Sequence, residues 1–96
     1  MKREEILSKL DEYKKNNREK YNILEMGIFG SVASETNNSK SDIDVVIKTK
    51  KADLFLMVHI KEELENIFKT NIDIVRYRKR MNKYLKNNID HQAIYV

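Results

Sequence analysis

Apolar residues recur along this chain with two different periods, which predict helices and strands in turn. Between Arg3 and about Lys20 the apolar residues lie at helical spacing among lysine and glutamate, which predicts an amphipathic helix. The run from Ile23 to Phe29 is apolar but too short for a helix, so it predicts a buried strand. This strand ends at Gly30, where a tight turn can begin.

The second half of the chain continues the alternation of strand and helix patterns. Its predicted elements are a strand over Ile43–Ile47, a helix from Ala52 to about Lys69, a strand over Asn71–Val75, a helix from Arg78 to about Asn87 and a short strand over Ala93–Val96. The start of the first of these helices is ambiguous, because Leu54–Val58 also fits an extended segment. The order predicts an α/β (α+β) two-layer sandwich, with flanking helices on a small mixed sheet.

Composition restricts the class of protein. The chain has 96 residues, of which 41% are hydrophobic and 35% charged, so it can bury a core. It contains no cysteine, which excludes a disulfide framework, a cysteine-ligated zinc and a thiol nucleophile. The longest apolar run, Leu54–Val58, is far shorter than the ~20 residues that cross a bilayer. We expect one domain over residues 1–96, in a cytoplasmic protein.

Three aspartates lie in or next to predicted buried strands. A strand that served only to build the core would be apolar at these positions. Asp42 and Asp44 stand two residues apart, a spacing that in a strand puts both side chains on one face. Asp73 lies between two isoleucines in the next predicted strand. Unpaired charges in such segments are costly, whereas grouped carboxylates suit Mg²⁺. Together they predict a site for metal ions ~3.5–4 Å apart, which would support phosphoryl-type transfer.

Gly30 and Ser31 lie between the first strand and a polar loop over residues 34–41. A glycine lets the backbone approach a phosphate closely, and a following helical turn would direct free N–H groups toward it. Ser31 adds a hydroxyl donor. The net charge of +4 is compatible with a nucleotide triphosphate or a nucleic acid and does not separate them.

The run Gly30–Ala33, then Ser41–Asp44, then Asp73 in a strand resembles the signature of the DNA polymerase beta-like nucleotidyltransferase superfamily. The short chain resembles its smallest branch, the minimal nucleotidyltransferases (MNT), over its whole length. The order and spacing of these motifs are more specific than either motif alone.

The resemblance implies a function and a role for each site residue. It implies an antitoxin that neutralises a HEPN-domain ribonuclease toxin by transferring AMP from ATP to a toxin tyrosine, with release of pyrophosphate. Asp42 and Asp44 would bind two Mg²⁺ ions, and Asp73 would bind the catalytic one and help deprotonate the acceptor hydroxyl. Gly30, Ser31 and Ser41 would bind the nucleotide, the first two at its β- and γ-phosphates.

One departure from the family pattern keeps an alternative open. Ser34 and Glu35 stand where the family often has Arg-Gly, so one arginine that could hold the triphosphate is missing. The alternative is a non-catalytic antitoxin that neutralises the toxin by binding alone. A basic nucleic-acid-binding module is a third hypothesis, but no nucleic-acid-binding motif supports it.

A second charged feature follows the third aspartate. Six basic residues occur between positions 76 and 86, and no acid occurs over residues 74–89. This run is compatible with a solvated helix face, or with a patch that meets ATP phosphates or an acidic partner. Apolar residues around Leu56 and Val58 that exceed the needs of the core could add a partner surface.

Overall fold

Helices and strands alternate over residues 1–36 and 42–96, which are the residues that the computed structural model describes. In order they are α1 (Arg3–Asn17), β1 (Ile23–Phe29), α2 (Gly30–Ala33), β2 (Ile43–Thr49), α3 (Leu54–Phe68), β3 (Ile72–Arg76), α4 (Lys83–Gln92) and β4 (Ile94–Tyr95). Within these ranges no helix has both the length and the apolar character needed to cross a membrane.

Within the described residues the strands form a four-stranded sheet in the order β3-β2-β1-β4. β1 pairs antiparallel with both β2 and β4, whereas β2 and β3 are parallel. Parallel neighbours need a crossover connection, which α3 supplies between them. The mixed sheet with flanking helices confirms the fold class that the sequence predicts.

The two faces of the sheet carry cores of different size. Val45 and Ile47 belong to a large cluster with Leu10 of α1 and Leu64 of α3. Val46, between them in the strand, belongs to a small cluster with Ile89 of α4. Because neighbouring strand residues point to opposite faces, α1 and α3 cover one face and α4 covers part of the other.

Side-chain caps decide where two helices begin. The predicted start of the last helix at Arg78 is wrong: α4 begins at Lys83, because the Asn82 side chain accepts a hydrogen bond from the N–H of Leu85 at 3.0 Å. The Asp53 side chain accepts in the same way from the N–H of Leu56, at 3.0 Å. This cap resolves the ambiguity over Leu54–Val58 in favour of a helix.

A partly exposed carboxylate, that of Glu63 in α3, joins α1 to α3 through hydrogen bonds. Tyr13 and Tyr21 each donate a hydrogen bond to Oε1 of Glu63, at 2.8 and 2.9 Å. Burial raises the pKa of the Tyr13 hydroxyl, and its hydrogen bond to Glu63 raises it further. Both hydroxyls therefore stay protonated and keep donating to Glu63, which holds α1 against the rest of the domain.

We predict that Asp53→Ala lowers the free energy of unfolding by about 1 kcal/mol, because it removes the N-cap acceptor of α3. Urea denaturation followed by circular dichroism measures the change. Asp53→Asn is the matched control, since it keeps an acceptor oxygen and should retain most of the stability. Equal losses in the two variants would contradict the capping role.

Candidate active site

Two of the predicted site aspartates lie side by side at one end of the sheet. Asp44, near the start of β2, is in parallel register with Asp73 of β3. Hydrogen-bonded neighbouring strands lie about 4.8 Å apart, and residues in register point to the same face. On its other side Asp44 pairs with Phe29, the last residue of β1. The end of β1 and the starts of β2 and β3 thus meet at Asp44.

The third aspartate of the predicted site, Asp42, affects the Asp44 carboxyl through its negative charge. Asp42 is exposed and directly precedes β2, which begins at Ile43 as the sequence predicts. Partial burial raises the pKa of the Asp44 carboxyl, and the negative charges of Asp73 and Asp42 raise it further. Asp42 and Asp73 are therefore both close enough to Asp44 to repel its carboxylate.

The site suits a hard cation by its chemistry. Three carboxylates supply oxygen ligands only, which Mg²⁺ prefers, and a cation would offset the repulsion that raises the pKa of Asp44. Within residues 1–36 and 42–96, however, no three acidic, histidine or cysteine side chains are grouped closely enough to hold a metal ion as they stand. Metal binding by Asp42, Asp44 and Asp73 stays a prediction.

Gly30 makes room for the central carboxylate. Its φ angle of 72° lies in the left-handed region, which side chains other than glycine rarely adopt. A Cβ atom at this position would overlap with Oδ2 of Asp44. The sequence explained this glycine by phosphate approach, whereas the structure shows that it is also needed to seat Asp44.

The turn after Gly30 is closed by hydrogen bonds to its carbonyl groups. Ser31 is half-buried in the short helix α2. The Ser34 hydroxyl lies 3.1 Å from the Gly30 carbonyl, and the N–H of Thr36 donates to the Ser31 carbonyl at 2.9 Å. The first N–H groups of a helical turn have no partner within it, so these can face a phosphate. Ser41, the other predicted nucleotide-binding residue, lies outside the described residues.

Arg3 is a neighbour of this turn that sequence reasoning did not identify. Its guanidinium donates to the Ala33 carbonyl at 2.8 Å and lies 3.3 Å from the Glu35 carboxylate. Arg3 thus caps the last residue of α2 and compensates the charge of Glu35. No local signal in the sequence marks this contact, because it joins the start of α1 to a turn far along the chain.

One further basic residue, Lys61, lies near the aspartates, whereas Arg76 lies toward the opposite end of the sheet. Lys61 of α3 pairs with Glu65 at 2.9 Å, and Glu65 accepts a hydrogen bond from the N–H of Ile72. The hydrogen bond to Glu65 raises the pKa of Lys61, and the charge of Asp73 adds to the shift. Lys61 therefore places a cation near the site.

Arg76 lies away from the aspartates. Its guanidinium donates to the Thr49 hydroxyl at 2.9 Å. Thr49 ends β2, whereas Asp44 is near its start. Its guanidinium therefore lies toward the end of β2 opposite Asp44, and contact of the basic run with ATP phosphates stays a prediction.

Sequence comparison identifies the family. Residues 8–96 match the family described as polymerase beta, nucleotidyltransferase. The chain is 29% identical over 93 residues to the Methanocaldococcus jannaschii protein named "Putative protein adenylyltransferase MJ0126", covering 96% of this chain and 95% of that one. It is 27% identical over 94 residues to protein adenylyltransferase MntA of Thermococcus cleftensis, covering 97% and 94%. The chain therefore belongs to the polymerase beta nucleotidyltransferases.

Solved structures share the fold. A toxin–antitoxin crystal structure with AMP-PNP superposes with a TM-score of 0.75 at 20% identity, covering 88% of this chain and 69% of that one. A tri-AMPylated Shewanella oneidensis HEPN toxin in complex with its MNT antitoxin gives 0.72 at 16% identity, covering 97% and 70%. These likenesses show that the chain has the same fold as the antitoxin structures.

We predict that Gly30→Ala destabilises the protein by about 1–3 kcal/mol, the usual cost of forcing a side chain into a strained backbone conformation. The added Cβ would also push the Asp44 carboxylate out of place. Thermal and urea denaturation measure the loss. Ser31→Ala, in the same turn, should cost about 0.5 kcal/mol or less, and a similar loss in both variants would argue against the seating role of Gly30.

We predict that Asp44→Asn raises the melting temperature of the metal-free protein. A raised pKa in the folded state means that stability is lost as the pH rises from the ordinary carboxyl pKa through the raised value. The advantage of the variant over wild type should therefore grow over that interval and then persist. Differential scanning calorimetry in a chelator measures it.

Glu62→Gln, which neutralises an exposed carboxylate of α3, is the matched control and should show no such gain. Adding Mg²⁺ should reverse the order: at about 100 times its Kd it would stabilise the wild type by about 2.7 kcal/mol and the Asn variant by much less. Equal stabilisation of both would contradict a metal role for Asp44.

Proposed function

We propose that this chain is an antitoxin that transfers AMP from ATP to a tyrosine hydroxyl of a HEPN-domain toxin and releases pyrophosphate. The observation that carries the proposal is the pair Asp44 and Asp73, side by side at the ends of parallel strands, with Gly30 packed against Asp44. Nucleotidyl transfer requires carboxylates for metal ions and, beside them, backbone N–H groups for the phosphates, and the first turn of α2 can supply the latter.

Relatives support the chemistry and the partner. The relative from Thermococcus cleftensis is named a protein adenylyltransferase and aligns over almost the whole of this chain. Among proteins of the same fold, one toxin–antitoxin structure contains AMP-PNP, and another contains a tri-AMPylated HEPN toxin with an MNT antitoxin. ATP as substrate and a HEPN toxin as acceptor fit both.

The residues divide the reaction between them. The acceptor oxygen forms a bond to the α-phosphorus while the bond from that phosphorus to the bridging oxygen breaks, so pyrophosphate leaves with the electron pair. Asp73, at the exposed edge, would take the proton of the hydroxyl. The first N–H groups of α2 and the Ser31 hydroxyl would hold the β- and γ-phosphates. Mg²⁺ bound by the three aspartates would neutralise charge on the phosphate oxygens.

The openness of the site favours a macromolecular acceptor. Asp42 and Asp73 are exposed and Asp44 is half-buried, so the carboxylates lie at the surface rather than inside an enclosed pocket. A tyrosine on the surface of another protein can approach such an edge. The partner would then supply the rest of the acceptor site.

Binding without catalysis is the second candidate, and Ser34–Glu35 in place of the family's Arg-Gly is what favours it. The missing arginine and the added charge of Glu35 count less against catalysis in this structure, because Arg3 lies 3.3 Å from the Glu35 carboxylate and compensates its charge. Arg3 also puts a guanidinium beside the turn that would hold the phosphates. Catalysis therefore stays the leading proposal.

We predict that co-expression with the HEPN toxin adds the mass of one or more AMP groups to the toxin, and that Asp44→Asn abolishes the addition. With purified proteins and ATP labelled at the α-phosphate, the rate should fall at least ~100-fold, since even indirect supports of a metal site cost 10–100-fold. Intact-mass spectrometry and transfer of the label measure the two effects. A chelator should stop transfer by the wild type.

Asp11→Asn is the matched control and should transfer AMP at the wild-type rate, because Asp11 is a partly exposed aspartate of α1 that pairs with Lys15. Unchanged transfer by Asp44→Asn would overturn the role of that residue. A toxin neutralised by both forms in a stable complex, with no added mass, would establish the binding-only antitoxin instead.

A further inference from the structure

A groove with an apolar floor lies outside the site. It has a volume of about 560 Å³ and runs between the start of α3, the edge strand β3 and the start of α4. Its apolar lining includes Leu54, Met57, Val75, Met81 and Leu85. Leu54 is 78% exposed, and the adjacent Phe55 is 89% exposed. Burying one such side chain contributes about 1.5–3 kcal/mol of favourable free energy. Binding of a partner that covers this surface would therefore be stabilised by burial of its apolar side chains.

Positive charge surrounds the groove. Arg76 and Arg78 line it, and the hydrogen bonds of Arg76 to Thr49 fix that guanidinium in place. Lys79, Arg80 and Lys83 are exposed along the connection to α4 and in its first turn. Among the described lining residues the one acid is Asp53, whose carboxylate is engaged with the N–H of Leu56.

We propose that this groove docks an amphipathic helix of the partner protein, one whose apolar stripe is bordered by aspartate or glutamate. Two helices and a strand edge bound the groove, and a helix fills such a groove with apolar residues at positions i, i+3, i+4 and i+7. The basic border selects acidic neighbours of that stripe and repels basic ones.

The groove also places its occupant near the reaction. Asp73 directly precedes Ile74, which lines the groove, and the lining continues to Arg76. A strand rises about 3.3 Å per residue, so Arg76 is about 10 Å along β3 from Asp73. A helix held in the groove would bring its own chain to the aspartates. The inference rests on the proposed function in one respect, namely that the docked partner is the toxin that accepts AMP.

The test measures binding of the HEPN toxin to groove variants of the full chain by isothermal titration calorimetry. We expect Leu54→Glu and Arg78→Glu each to weaken binding about 10–100-fold, the range of interface anchor residues. Both side chains are exposed, so the fold should be retained, which circular dichroism checks. Raised salt should weaken the wild-type complex more than the Arg78→Glu complex.

Matched controls carry the same changes elsewhere. Ile67→Glu puts the same charge on an exposed apolar position at the other end of α3, and Lys9→Glu reverses an exposed charge on α1. Both should bind like the wild type. Groove variants that bind as tightly as these controls would overturn the proposal. Loss in Leu54→Glu with none in Arg78→Glu would overturn the acidic border of the helix.

Failure of the groove and failure of the proposed function give different results. Asp44→Asn should keep full affinity for the toxin and lose only transfer. If the wild type binds through the groove but transfers nothing, the catalytic proposal fails and the docking proposal is retained.

Sedimentation velocity of the chain alone tests whether a second copy of this chain occupies the groove instead. A dimer that Leu54→Glu dissociates would assign the groove to that second copy and overturn docking of the partner.

Discussion

The candidate site depends on the contact between the backbone of Gly30 and the carboxylate of Asp44. The left-handed conformation of Gly30 turns the chain sharply at the end of β1, and the missing Cβ leaves the space in which Asp44 lies. The same residue thus begins the turn proposed to bind a phosphate and makes room for the carboxylate proposed to bind the metal. Both halves of the site therefore share one geometric requirement.

This arrangement works against folding in the absence of a cation. Asp44 is held beside Asp73 by the parallel register of β2 and β3, so the two residues stay neighbours as long as the strands are paired. Partial burial, and after it the repulsion from Asp73 and Asp42, raise the pKa of Asp44. A structure that only needed stability would place an apolar residue there, as it does at Val46 two residues on. The retained charge is what the proposed metal site would require.

Much of the fold was predictable because its signals are local. Ile23–Phe29 is observed as a strand with the predicted limits, and hydrophobic spacing located α3. The start of α4 was missed, because the apolar pattern gives no limit there and the Asn82 cap decides it. In the site, spacing identified Asp42 and Asp44, while their proximity to Asp73 needed a strand order that local sequence does not contain. Lys61 and Arg3 act across long separations, so no pattern marked them.

The contacts of Arg3 change how the departure at Ser34–Glu35 is understood. In this chain a cation at the end of α2 comes from the start of α1 rather than from the turn itself. The position of the Arg3 guanidinium therefore depends on how firmly α1 packs on the domain. Near the other end of α1, the hydrogen bonds of Tyr13 and Tyr21 to Glu63 of α3 hold the helix in place. A residue supplied by a packed helix is fixed by tertiary structure, whereas one in a short turn is fixed only locally. The turn keeps its positive neighbour, and its geometry is coupled to the packing of the main core.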